Sequence, residues 1–207
     1  GRFITGLSGN QGIESRITPS DIIINDTVWK VSPGYISIHD KVVDLAGIKV
    51  SSDDRHLTLN GRLSNEETDT LTVGLKDVSL SYIFNIIDFH SVELDGKATG
   101  QIYARTLSQS PMVDAYLQVH DFTFNDAYLG NMDIYGNFGD NGKSITLDAD
   151  INDLSNDHHT TVKGYITPGR GPNGGLELNI DTRRINIHFL NMYTSGIFRD
   201  FNGRASG

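Results

Sequence analysis

The 207-residue chain contains no cysteine, which excludes disulfide bonds and thiolate metal or catalytic sites. It also lacks a long apolar run: the longest nearly apolar segment, Tyr82 to Phe89, is far shorter than the roughly 20 residues of a membrane-spanning helix. Basic residues are few, with 17 Lys and Arg against 26 Asp and Glu and a net charge of −9. Because affinity for nucleic acids depends on clustered basic side chains, this balance argues against a nucleic-acid partner.

Motifs of enzyme chemistry are missing or incomplete. Gly169 to Gly174 matches G-x-G-x-x-G, but Pro172 interrupts it and a strand-like segment follows where a nucleotide-binding loop needs a helix. We therefore predict a hairpin loop there. No G-x-S-x-G elbow occurs, and no Ser, His and Asp are arranged in a way that indicates a catalytic triad. The sequence predicts no catalytic residue, no cofactor and no enzyme activity.

Two groups of possible metal ligands also have simpler explanations. Asp148 and Asp150 resemble the start of a calcium-binding loop, but the glycine and the glutamate that such a loop requires are absent. His158 and His159 are adjacent, so on a strand they point to opposite faces. We predict that both are solvated residues at a strand end, that no metal binds, and that replacing either by Ala changes stability by about 0.5 kcal/mol or less.

Apolar and polar residues alternate along most of the chain, as in Tyr35 to His39, Val113 to His120 and Ile145 to Ile151. Strands with this pattern have one dry face and one wet face, which is typical of antiparallel sheets. Pairs such as Asp95-Gly96 and Asn141-Gly142 supply turns between them.

One stretch of the sequence occurs twice. Leu94 to Gly100 recurs as Phe201 to Gly207, a displacement of 107 residues. Further upstream, His56 to Ser64 matches His159 to Thr167 at a displacement of 103, as a four-residue insertion in a loop would produce. Such repeats are typical of arrays whose units stack into one extended body.

The fold that follows is all-β, an elongated antiparallel meander curved into a trough, with one short helix at Leu80 to Ile87 and a weaker turn near Phe189 to Tyr193. Two halves, residues 1–100 and 101–207, are expected to continue one sheet. We also expect both termini to be cuts in a longer polypeptide.

These features resemble a known family. The Trp29 and Pro33 strand, Gly61 and Gly164 after short alternating strands, and the Gly96 to Gly100 and Gly203 to Gly207 tags are similar to the repeats of TamB and AsmA-like proteins of Gram-negative envelopes. The other segments that carry the resemblance are Val28 to Ile38, Leu57 to Gly61, Pro111 and Leu129 to Ile134.

The resemblance implies a β-taco-like groove lined by apolar side chains. It also implies a periplasmic protein, anchored in the inner membrane and reaching the outer membrane, that carries phospholipid or assists the assembly of outer-membrane β-barrel proteins. Binding an acyl chain needs continuous apolar area and no catalytic group.

The residues predicted to line the groove are the apolar positions of the alternating strands: Ile36, Ile38, Leu57, Leu59, Leu71, Val73, Val113, Ala115, Leu117, Val119, Ile145, Leu147, Leu176, Leu178 and Ile180. Two alternatives stay open. One is a scaffold that binds unfolded barrel strands by strand addition. The other is a closed β-sandwich with a surface-binding role, in which the alternation only fills a core.

Overall fold

The computed structural model describes residues 4–8, 12–24, 26–82, 93–106, 112–125, 127–138, 144–167, 175–190 and 203–207. Most of these residues lie in strands, as the alternation predicts. The strands are β1 (Ile4–Ser8), β2 (Gly12–Ile17), β3 (Ser20–Ile24), β4 (Thr27–Val31), β5 (Gly34–His39), β6 (Val42–Ser52), β7 (Arg55–Leu63), β8 (Leu71–Ser79), β9 (Leu94–Arg105), β10 (Met112–Phe124), β11 (Ala127–Phe138), β12 (Ile145–Asp153), β13 (His158–Thr167), β14 (Gly175–Arg183), β15 (Ile185–Asn186) and β16 (Arg204–Ala205).

Within the described residues, fourteen strands form one sheet in the order β1-β2-β5-β6-β7-β8-β9-β10-β11-β12-β13-β14. β3 and β4 form a hairpin that joins this sheet through β4 and β6, while β15 and β16 form a separate pair. The order is open, with β1 and β14 at its two ends. The predicted all-β antiparallel meander is confirmed.

Strand β6 is long enough to carry two partners along the same edge. Its first half pairs with β5 and its last residues pair with β4. Between Leu45 and Ile48 the register with β7 shifts, and Gly47 there has a positive φ of 69°. This bulge leaves Leu45 and Ile48 on one side of the sheet although they are three residues apart.

Helical structure is confined to short segments in the described part of the chain. Residues 80–82 are helical, and residues 83–87 of the predicted helix lie outside the described part. Leu154–Asn156 and Ile187–Leu190 form 3₁₀ turns. The second lies at the start of the predicted turn, of which residues 191–193 are outside the described part, as are Gly169 to Gly174.

The two copies of the sequence repeat have the same backbone. Asp77 and Arg184 both have positive φ, at 51° and 60°. The peptide N–H of Asp77 donates to the Thr99 hydroxyl at 3.1 Å, and the N–H of Arg184 donates to the Ser206 hydroxyl at 3.0 Å. Each equivalent pair is separated by the 107 residues of the repeat, so the repeat is structural as well as sequential.

The same correspondence holds in the turns that follow. A helical segment begins at Leu80 in the first copy and at Ile187 in the second. Gly96 and Gly203 have φ of 142° and 143°, values that residues with a side chain rarely adopt.

A glycine sets the approach of two strands in each copy. Gly61 lies opposite Leu71, and Gly164 lies opposite Leu178. A Cβ at Gly61 would lie 2.2 Å from the Thr70 carbonyl oxygen, and one at Gly164 would lie 1.9 Å from the Glu177 carbonyl oxygen. Only glycine permits these close contacts between the strand backbones.

The chain divides into two compact units. Unit 1 comprises Gly1–Val78, Thr99–Ala115 and Phe138–Gly142, and unit 2 comprises Ser79–Ala98, Tyr116–Asn137 and Lys143–Gly207. The boundary therefore runs through β9, β10 and β11 and does not coincide with the predicted halves at residue 100.

Replacing Gly164 with Ala should destabilise the protein by about 1–3 kcal/mol, because the added methyl group forces two strand backbones apart. Gly175 is the matched control on the same hairpin, since a Cβ there meets nothing within 4 Å. Urea unfolding of the two variants measures the difference. Equal midpoints for Gly164→Ala and Gly175→Ala would contradict the close approach.

Candidate apolar binding faces

Strands β2 to β8 present most of their aliphatic side chains on one side of the sheet. Directly opposed residues in antiparallel strands share a face, so the register transfers the assignment from strand to strand. We call the side that carries Leu57 and Leu59 the first-unit apolar face. It comprises Ile13, Ser15, Ile17, Ile22, Trp29, Val31, Ile36, Ile38, Val43, Leu45, Ile48, Val50, Ser52, Arg55, Leu57, Leu59, Gly61, Leu63, Leu71, Val73 and Leu75.

Six of the predicted groove residues therefore lie together on this face, namely Ile36, Ile38, Leu57, Leu59, Leu71 and Val73. The sequence analysis missed several of their neighbours. The alternation did not identify Leu45 and Ile48, because the bulge breaks the two-residue period of β6. Trp29 and Val31 flank the polar Lys30, but Val28 before Trp29 interrupts the alternation.

The first-unit apolar face is only partly covered. Among its aliphatic residues only Ile48 and Leu75 are buried. Ile13 is 49% exposed and Ile38 is 40% exposed, and most of the others are half-buried. A second layer of structure would bury these side chains fully. Their remaining exposure leaves an apolar surface on which another molecule can bind.

Charge is also distributed unevenly between the two sides of these strands. Arg55 is the one charged residue that the register places on the first-unit apolar face. Acidic residues such as Glu14, Asp21 and Asp44 lie on the opposite side. A chain of net charge −9 therefore keeps carboxylates away from this surface on β2 to β8.

Unit 2 differs because its apolar side chains form a packed core. Leu80, from the helical segment after β8, packs there with buried side chains of four strands, β9 to β12. The buried members are Leu80, Ala98, Val119, Phe122, Leu129, Met132, Ala149 and Ile151. This is the arrangement that the closed alternative requires, and it is found in unit 2.

The remaining predicted groove residues have different environments. Val119 is fully buried in the core and Leu117 is also buried, so neither lies on an open surface. Val113 and Ala115 are half-buried on the same side of β10 as Leu117.

Five further predicted residues lie on β12 and β14. Ile145 and Leu147 are half-buried, and they share a face with Leu178 and Ile180 through the strand β13 between them; the Leu176 side chain lies outside the described part. On the outer strand of this group, Ile180 is 52% exposed. The predicted residues of unit 2 are therefore divided between its core and one exposed strand.

The prediction for His158 is wrong, because this residue is buried and hydrogen-bonded. Its Nδ1 lies 3.1 Å from the Leu129 carbonyl oxygen, which can only accept, so Nδ1 carries the proton. Nε2 lies 2.7 Å from the Thr160 hydroxyl, which in turn lies 2.6 Å from the Thr182 hydroxyl. The ring therefore links β11, β13 and β14 inside unit 2.

Asp153 lies opposite His158 in the register and caps the 3₁₀ turn that follows it. Its carboxylate accepts hydrogen bonds from the Asn156 side chain and from the hydroxyl and backbone N–H of Ser155. The Asn156 amide first, and the Ser155 hydroxyl next, hold the pKa of Asp153 below its usual value. The charged form of this buried carboxyl is thus stabilised by donors from its own turn.

His159 points to the other side of β13, as predicted for adjacent strand residues. Its Nε2 lies 2.8 Å from Asp150, and both side chains are substantially exposed. Asp148 forms an exposed ion pair with Lys163 at 2.9 Å. In the described part of the chain, no three histidine or acidic side chains are grouped as metal ligands.

Replacing His158 with Ala should destabilise the protein by about 2–3 kcal/mol, because it removes a buried ring and leaves the Leu129 carbonyl without its donor. His159→Ala, next to it on the exposed side, should change stability by about 0.5 kcal/mol or less. Thermal or urea unfolding compares the two. A His158→Ala variant as stable as His159→Ala would contradict the buried hydrogen-bond chain.

The described residues include no helix that is long and apolar enough to cross a membrane. The described residues form the first-unit apolar face, the packed core of unit 2 and the exposed strand β14. No family model, curated protein or solved structure matches the chain.

Proposed function

We propose that the chain binds acyl chains of phospholipids on the first-unit apolar face, as part of a periplasmic bridge or scaffold between the inner and outer membranes. The observation that carries the proposal is the uncovered aliphatic face on β2 to β8. The resemblance of the repeats to TamB and AsmA-like proteins supports the same function, a trough-like curvature and an inner-membrane anchor in the parent protein. The proposed role is transport without catalysis.

The dimensions of the face suit an extended hydrocarbon chain. From Arg55 to Leu63, β7 spans eight residue steps, or about 26 Å at the rise of an antiparallel strand. Each methylene group that leaves water on such a surface contributes about 0.8 kcal/mol. An acyl chain that places a few methylene groups on each strand would therefore bind measurably without any polar contact.

Ile38→Asp should weaken phospholipid binding strongly, because a carboxylate there is exposed to the bound hydrocarbon. Ile38 is the preferred position since it is 40% exposed and its replacement should leave the protein folded. Crosslinking to a phospholipid with a photoreactive acyl chain measures binding, and circular dichroism checks the fold.

Asn60→Asp is the matched control. It adds the same charge on the opposite face of β7. The new carboxylate also keeps an acceptor for the Gly47 N–H, which donates to Asn60 Oδ1 at 2.7 Å. Its crosslinking should equal that of the parent. A folded Ile38→Asp protein that crosslinks as well as Asn60→Asp would remove the first-unit apolar face as the lipid site.

A second candidate function, strand addition to an unfolded barrel protein, is favoured by the edge of β14. Thr182 exchanges two backbone hydrogen bonds with Gly207, at 2.7 and 2.9 Å, on the side away from β13. By the two-residue period, the N–H and C=O groups of Leu176, Leu178 and Ile180 point to that same side. No described residue pairs with them there.

The repeat indicates what such an edge accepts. β8 is the equivalent of β14 in the first copy, and β9 pairs with it on this side. An extended segment with the alternating pattern of β9 therefore matches this edge of β14. The exposed Leu178 and Ile180 side chains would contact its apolar residues.

A peptide with the sequence of residues 100–106 should protect the amides of Leu176, Leu178 and Ile180 from hydrogen exchange. Asn179, whose N–H points to β13, should show little further protection and is the internal control. Exchange followed by NMR measures each amide. Unchanged exchange at all three outward amides in excess peptide would exclude strand addition at this edge.

A further inference from the structure

Trp29 is buried with an unused hydrogen-bond donor. The residue is 6% exposed, and its indole Nε1 has no hydrogen-bond partner among the residues that the structure describes. Buried polar groups in folded proteins are nearly always paired, because an unpaired one loses its bonds to water without replacement. An acceptor supplied by a ligand would satisfy this donor, because no described residue does so.

A cation lies beside this donor. The Arg55 guanidinium is 5.4 Å from the centroid of the Trp29 ring. Its nearest acidic neighbour is Asp53, at 3.9 Å, with a carboxylate side chain that is 90% exposed. An ion pair this long and this exposed holds its partner weakly, so the guanidinium can turn towards another anion.

Both residues lie at one end of the first-unit apolar face. Val31 lies opposite Val50, so Trp29 is on the same side of β4, and Ser52 lies opposite Arg55 at the end of the β6 and β7 hairpin. From Leu57 onwards, every residue of β7 on this face is aliphatic or glycine. The face thus has a polar end with two N–H donor groups and a long apolar remainder.

We propose that Trp29 and Arg55 form an anchor for the phosphate of an anionic phospholipid whose acyl chains lie along the first-unit apolar face. This inference rests on the proposed lipid-binding function. It adds the class of lipid and the orientation of the bound lipid on the face. The guanidinium pairs with the phosphate oxygens, for which its planar fork is suited. The indole N–H donates to one of the same oxygens.

The direct test is a titration with a short-chain phosphatidylglycerol, monitored by tryptophan fluorescence. Trp29 is the only tryptophan in the chain, so the signal comes from the proposed site. Arg55→Gln should lower the affinity at least about tenfold, the loss expected for a hydrogen-bonded charge. Arg62→Gln, which removes an arginine from the opposite face of β7, should bind like the parent.

Trp29→Phe tests the indole N–H separately, since it keeps an aromatic ring and removes the donor. Radiolabelled phosphatidylglycerol replaces fluorescence as the readout for this variant. Its affinity should fall several-fold, and circular dichroism checks that the sheet is retained. Unchanged affinity in a folded Trp29→Phe protein would overturn the role of the indole.

Two further ligands distinguish a failure of the phosphate anchor from a failure of the proposed lipid-binding function. Diacylglycerol with the same acyl chains, also radiolabelled, should bind the parent, Arg55→Gln and Trp29→Phe proteins equally, because it lacks phosphate. Inorganic phosphate alone should not bind measurably. If phosphatidylglycerol binds all variants equally, the anchor is wrong and the apolar face stands. If neither lipid binds the parent protein, the proposed function itself fails.

Discussion

The strand register is the constraint on which the rest of the structure depends. Because side chains alternate between faces, a slip of one residue would exchange the apolar and polar sides of a strand. Gly61 opposite Leu71 and Gly164 opposite Leu178 fix this register at equivalent places in the two copies. At both glycines the strand backbones approach too closely for any side chain. The close contact that only glycine allows thus determines which residues share a face.

The same register has different results in the two units. In unit 2, Leu80 and its helical segment pack on the apolar side of the strands, where Val119, Met132 and Ile151 become core. In unit 1, the described residues provide no such cover, and Ile13 and Ile38 remain exposed. The apolar side of the strands is therefore a packed core where Leu80 lies against it, and it stays open where no described residue does. The local strand pattern is common to both, and only the cover differs.

Alternation and turn residues were sufficient to predict the strands, their antiparallel arrangement and the repeat, because these depend on local periodicity. They placed Leu57, Leu59, Leu71 and Val73 correctly on one face. They could not predict which apolar faces are covered, since the burial of Leu117 and Val119 depends on segments distant in sequence. The burial of His158 depends likewise on the Leu129 carbonyl, 29 residues away. The bulge in β6 arises where Gly47 takes a positive φ, which alternation alone does not encode.

Solubility and ligand binding place opposite demands on an uncovered sheet. An exposed apolar face favours association with other apolar surfaces, and a net charge of −9 opposes self-association through repulsion. On β2 to β8, acidic residues such as Glu14 and Asp44 and basic residues such as Lys49 and Arg62 lie on the wet side, so the charges that keep the protein in solution stay off the apolar face. Arg55 is the exception to this segregation, and it lies beside the unpaired indole N–H. The other charged residues that the register assigns on β2 to β8, acidic and basic, lie on the opposite side. The position of Arg55 on the apolar side is the reason to assign it to a ligand.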